Sequence, residues 1–227
     1  MLTCSYSDRY GLGQVSPFTW LGLTIALFGM IIVRQTISYF YPALTVHAAV
    51  LKESLTWLCV FALWFIVRRG EGLSLQSVGI DTSRWLKSVA WGLVLTAVLI
   101  AIGTVADLIA ILSHYHENEF AREFNRLPVW LVTLTCVRAG VGEELFYRGY
   151  AIERLLAVGL SRFWAATIPV VIFAIGHWTS GWPNILAALV VGSGLSIFYL
   201  WRRDLIANMV SHFLVDFIGV VIPRLLS

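Results

Sequence analysis

Charge is scarce in this chain of 227 residues: Asp, Glu, Lys and Arg make up 13% of it, against roughly 25% in an average soluble domain. With 59% hydrophobic residues and a mean hydropathy of +0.80, that shortage excludes a water-soluble globular protein. The net charge of +3 is too small an excess to hold a polyanion, so nucleic acid is not an expected partner. Cysteine is nearly missing as well. Cys4, Cys59 and Cys136 form no C-x-x-C pair, and their spacing does not suggest a disulfide framework. No cleavable signal peptide is expected, because the first apolar run begins only near Pro17 and no basic segment precedes it. Internal repeats and low-complexity stretches are lacking, so residues 1–227 read as a single integral membrane domain.

What the chain has in quantity is long apolar runs, together with ten Trp and eight Tyr suited to the two membrane interfaces. The runs are far longer than the roughly 9–11 alternating residues of a transmembrane β-strand. The expected fold is all-α, a polytopic transmembrane helical bundle. Spans are expected near Phe18–Val33, His47–Val67, Trp85–Leu112, Pro128–Leu156, Arg162–Thr179, Pro183–Trp201 and Asp204–Ile222. That gives about seven, bracketed by six and eight. The fourth stretch is too long and too charged for a simple span, so a break, a tilt or an extension into the cytoplasm is expected there.

Arg and Lys set the sidedness. Arg68, Arg69, Arg84 and Lys87 follow the second span, Arg148, Arg154 and Arg162 lie between the fourth and fifth, and Arg202 and Arg203 follow the sixth. The positive-inside rule makes these loops cytoplasmic and places the amino terminus inside and the carboxyl terminus outside. At about 1.5 Å of rise per helical residue, Glu143, His177, His212 and Asp216 come to roughly 16, 22, 12 and 18 Å above the cytoplasmic boundary. Three separate spans thus bring ionisable groups to one mid-membrane layer, where such groups are costly and mark function by default.

The run from Gly142 to Arg148, Gly-Glu-Glu-Leu-Phe-Tyr-Arg, is the densest cluster. On an α-helix Glu144 and Arg148 stand at i and i+4 and can pair, while Glu143 points about 100° away, free to face the bundle interior as a general base. The competing reading is a buried salt bridge that ties helices together. His177, in Phe173-Ala-Ile-Gly-His177, is read either as an interhelical hydrogen-bonding group or as a site residue, with Gly176 allowing close approach of another backbone. His212 and Asp216 lie one turn apart and can share a ligand, a water or a metal, and Asn208 continues their stripe. Elsewhere, Arg138 is expected to pair with Asp107, Glu53 and Lys52 to sit at the outer interface, and Trp178 and Trp182 to belong to the aromatic belt.

Two chemistries fit the assembled residues. In one, Glu143 and His177 deprotonate a water that attacks a peptide carbonyl, while His212 and Asp216 stabilise the oxyanion and orient the groups. In the other, His177, His212 and one of Glu143 or Asp216 hold a zinc ion that activates water, although no H-E-x-x-H is present.

Glu143-Glu144-x-x-x-Arg148, Phe173-x-x-x-His177 and His212-x-x-x-Asp216 together resemble, in order and spacing, the three motifs of the CAAX-protease and bacteriocin-processing family, the Abi or type II CAAX prenyl endopeptidase group. The resemblance covers roughly Val129 to Val220. It implies an intramembrane endopeptidase with a polar catalytic cavity open to the cytosolic side, acting on a membrane-anchored or lipidated protein or a small peptide. It implies water activation by Glu143 and His177, oxyanion binding by His212 and position 216, and support from Glu144 and Arg148. Family members are described both as zinc metalloproteases and as metal-independent glutamic proteases; the glutamic mechanism is favoured here. Position 216 departs from the pattern, since many relatives carry Asn there. A bacterial cytoplasmic membrane is the expected location on the compact length. Two other classes were weighed. One is a non-enzymatic bacteriocin-immunity or scaffold protein of the same fold. The other is a proton-coupled transporter, disfavoured because the two halves show no paired Gly/Pro-interrupted spans.

Overall fold

The computed structural model describes residues 15–116 and 119–226, apart from the side chains at 106 and 107. Cys4 and the expected Asp107–Arg138 pairing lie outside the described residues. The fold is all-helical, with no strand among the described residues. Helix α1 spans Pro17–Phe40, α2 Val46–Gly70, α3 Trp85–Leu112, and the short α4 Glu119–Asn125. Helix α5 runs without interruption through Val129–Arg138, a π-helical stretch Ala139–Ile152 and Glu153–Ala157. Helices α6, α7 and α8 span Arg162–Ile175, Trp182–Arg202 and Leu205–Leu226.

Helix boundaries follow local chemistry. Ser16, Thr45, Ser161 and Asp204 each accept a hydrogen bond from a backbone N–H of the first turn of the helix they precede, and Pro17 stands where a missing N–H costs nothing. Gly181 takes φ 95° at the start of α7, and a Cβ there would lie 2.0 Å from the Tyr115 hydroxyl, so glycine is required. Five helices, α1, α2, α3, α7 and α8, are long and apolar enough to cross a membrane. Their outward faces carry exposed Trp, Phe, Leu and Ile, including Trp20, Trp64, Trp85 and Trp201. The chain is an integral membrane protein, as its composition requires. Helices α5 and α6 complete a set of seven; α5 carries several charges along its length, and α6 is apolar but only 14 residues long.

Two expectations change in detail. The fourth stretch neither breaks nor stops, but shifts to the wider i→i+5 hydrogen-bonding pattern, a winding found mostly at functional sites. The fifth ends at Ile175 rather than Thr179, because Arg34 of α1 donates to the carbonyl of Gly176, which would otherwise need a helical partner.

Contacts between helix ends fix an up-and-down order. At one end Glu71, after α2, accepts from Thr19 of α1 at 2.9 Å and pairs with Arg154 of α5 at 2.7 Å. There too Arg203, after α7, reaches the carbonyl of Ser77 at 3.2 Å, and Ser88 of α3 donates to Asp204 at 2.8 Å. At the other end Leu44 donates its N–H to Glu123 of α4 at 2.9 Å, and Arg224 of α8 donates to Asn125 at 2.8 Å. Helices α5 and α8 approach closely: a Cβ on Gly140 would lie 2.8 Å from the backbone oxygen of Met209. This contact sets Glu143 and Glu144 against His212.

Candidate active site

Glu144 is fully buried and accepts from three side chains. Arg148 donates to its Oε1 at 2.7 Å, Nδ1 of His212 lies 2.7 Å from the same oxygen, and Asn208 donates to Oε2 at 3.0 Å. The i, i+4 pairing of Glu144 with Arg148 is therefore present. Arg148 also reaches the carbonyl of Gly192 at 3.1 Å and the hydroxyl of Ser196 at 3.3 Å, and lies over the Phe173 ring at 4.7 Å. One buried ion pair thus joins α5, α6, α7 and α8, with every member hydrogen-bonded, which is the condition for tolerating such a pair away from water. Glu144 does more than neutralise Arg148. Its bond to Nδ1 fixes the orientation of the His212 ring and turns Nε2 toward Glu143 and Asp216.

Glu143 is buried but not free. Arg138 donates to its Oε1, and also to Glu53 through Nε at 3.0 Å. The π-helical winding accounts for the pair: hydrogen bonds from i to i+5 stack residues five apart, whereas on a regular α-helix Arg138 and Glu143 would diverge by about 140°. Glu53 lies inside the protein, 2% exposed, rather than at the interface, and Lys52 stays beside it at 3.6 Å. The other oxygen of Glu143, Oε2, faces Nε2 of His212 at 3.9 Å, and Oδ2 of Asp216 lies 3.7 Å from that same nitrogen. The orienting partner of His212 is thus Glu144, while Asp216 stands on the open side of the ring with 35% of its side chain exposed.

His177 sits in the turn after α6, where its Nδ1 and the carbonyl oxygen of Phe173 are 2.8 Å apart. A carbonyl only accepts, so Nδ1 carries the proton and the neutral ring has its acceptor at Nε2. The Phe173 ring lies between the two histidines, 4.7 Å from His177 and 6.0 Å from His212.

Glu143, His177, His212 and Asp216 line one cavity of about 740 Å³. The structure brings together all four residues singled out from the sequence, with Glu144 and Arg148 directly behind them. It also brings in Arg34, which sequence reasoning passed over. Arg34 is the one charged residue in the apolar run of α1, a signal that could have found it. It donates to Gly176 and, at 3.2 Å, to Thr179, and so holds the turn that carries His177. The residues are a poor fit to zinc. Among the described residues no three His, Cys, Asp or Glu side chains form a group able to hold a metal ion. In addition, an oxygen of Glu143 is taken by a guanidinium, whose charge opposes a nearby dication. Trp178 and Trp182 are exposed, and Cys59 and Cys136 are free thiols.

Residues 125–218 match the family model described as type II CAAX prenyl endopeptidase Rce1-like. No curated protein and no solved structure matches the chain. The matched segment holds α5 to most of α8, and with them the acidic pair, both histidines and Asp216. Over residues 125–218 the chain is thus similar to the Rce1-like type II CAAX prenyl endopeptidases, a match consistent with the CAAX-protease and bacteriocin-processing family.

Proposed function

We propose that this protein is a membrane-embedded endopeptidase that hydrolyses a peptide bond in a membrane-anchored or lipidated protein, or in a small peptide, by a metal-free mechanism. The observation that carries this reading is the convergence of Glu143, His177, His212 and Asp216 on one cavity within the segment that matches the endopeptidase family. The gap of 3.9 Å between Glu143 and His212 is too long for a hydrogen bond and suits a bridging water.

In the proposed sequence, Glu143 and the unprotonated Nε2 of His177 take a proton from that water as its oxygen bonds to the scissile carbonyl carbon. His212, in its protonated form, donates from Nε2 to the oxyanion that develops, and Glu144 holds the ring in place. The carbon–nitrogen bond then breaks, and the proton taken from water passes to the departing amine. Arg138, anchored by Glu53, keeps Glu143 from turning away from the water. Asp216 would repel an oxyanion if ionised beside it, so its role is to orient the Nε2–H of His212 or hold the incoming water before the carbonyl arrives.

The test is cleavage of lipidated tail peptides and small leader peptides by the purified protein in detergent or lipid. Activity is expected to be unchanged by a strong zinc chelator; a loss that added zinc restores would replace the proposed mechanism with the metal-dependent one. Asp216→Asn is expected to retain at least about one tenth of the parent rate, because an amide can serve as a donor where the carboxylate cannot. A collapse of that variant would assign Asp216 a role its charge alone performs.

A further inference from the structure

The cavity reaches only one end of the bundle, and its lining identifies that end. Its lining runs from Glu143 and His212 past Arg34 and Lys52 to Phe124 of α4, Asn184 at the start of α7 and Arg224 at the end of α8. Glu143 and His212 lie near the middle of their helices, and Arg34, Lys52, Phe124, Asn184 and Arg224 belong to the half of theirs nearest the loops before α2, α5 and α7. No lining residue comes from the opposite end, from the loop between α2 and α3 or from the turns after α5 and α7. That opposite end is closed by the ion pairs of Arg154 with Glu71 and of Arg203 with the buried Glu153, and by the buried rings of Tyr150 and Tyr199.

The two ends also differ in charge. The closed end carries Arg68, Arg69, Arg84, Lys87, Arg202 and Arg203, with Arg154 and Arg162 flanking its remaining turn. The open end carries fewer: Arg122 and Arg126 between α3 and α5, and Arg34, Lys52 and Arg224 in the adjoining helix ends, while its other two connections, 41–45 and 176–181, have no Arg or Lys. Loops rich in Arg and Lys stay on the cytoplasmic side. We infer that the closed, basic end faces the cytoplasm and that the catalytic cavity opens to the non-cytoplasmic side, so that the substrate is a peptide segment presented at the outer face of the membrane. This is opposite to the cytosolic opening that the family resemblance implies. The part about substrate rests on the peptidase reading, whereas the orientation does not.

Orientation is measured without any cleavage assay. In a variant carrying Cys4→Ser, Cys59→Ala and Cys136→Ala, a single cysteine is placed at the cavity mouth by Asn184→Cys or at the closed end by Ser83→Cys, both exposed positions. Intact bacterial cells are then treated with a membrane-impermeant maleimide. Asn184→Cys is expected to label fully in intact cells, and Ser83→Cys only after the membrane is permeabilised; any other pattern overturns the inference. Should the cysteine-free background fail to fold, fusions to the carboxyl terminus of the native chain decide. An exported alkaline phosphatase moiety is expected to be active there and a green fluorescent protein moiety dark, and the reverse overturns the inference. Labelling as expected without peptide cleavage would leave the orientation standing and remove the peptidase reading.

Discussion

Glu143→Gln is expected to lower cleavage by about 100- to 10,000-fold, the range over which a positioned acid–base group contributes to catalysis, while the protein purifies and unfolds like the parent. The substitution keeps shape and removes the charge. Gln can still accept from Arg138 through its amide oxygen, and Arg138 keeps its second partner, Glu53, at 3.0 Å, so no buried guanidinium is stranded. What is lost is the carboxylate oxygen facing the 3.9 Å gap to His212, which in the proposed mechanism takes the water's proton. Initial rates on one peptide substrate, with thermal unfolding of both proteins in the same detergent, separate the two effects. A variant that cleaves as fast as the parent would remove Glu143 from the chemistry and leave the polar core with a structural role, as in an immunity or scaffold protein of the same fold.

Glu144→Ala is expected to fail differently, losing stability together with activity. Glu144 is completely buried and accepts from Arg148, His212 and Asn208 at once. Truncating it strands the Arg148 guanidinium, itself without exposure, and breaking a buried pair from one side costs about 3–5 kcal/mol. It also frees the His212 ring to rotate, so whatever folds should be impaired in catalysis. Glu144→Gln is the informative companion: it leaves an acceptor for Arg148 and Asn208 and recovers part of the stability, while activity stays low because a neutral amide holds the imidazole less firmly. Denaturant or thermal unfolding combined with rates measures both. A Glu144→Ala protein as stable as the parent would show that the network is not what joins α5, α6, α7 and α8.

The contrast between the two acids shows how far local reasoning reaches. The Glu144–Arg148 pair was legible because both residues lie on one continuous helix and neighbours four apart stay on one side of it in α and in the wider π winding alike. The Arg138–Glu143 pair was not, since it depends on five-residue π winding, and the sequence between them bears no mark that distinguishes that winding from an ordinary α-turn. Glu53 was misplaced at the interface for a related reason: its depth follows from Arg138 and Thr135 on another helix, not from its place along α2.

By itself the sequence determined the solvent, the helical class, the spans to within a few residues except the first, which runs past Val33 to Phe40, and the identity of the residues in the polar layer. These follow from composition, run length and local spacing, which do not depend on how helices pack. The tertiary structure decided which carboxylate orients His212, that Glu143 is tethered by Arg138, that Arg34 holds the turn of His177, and at which end the cavity opens. Apart from the Arg138–Glu143 tether, which local π winding makes, these depend on residues far apart in the chain, set by the close approach of helices at glycines such as Gly140 and by the demand that every buried charge find a partner.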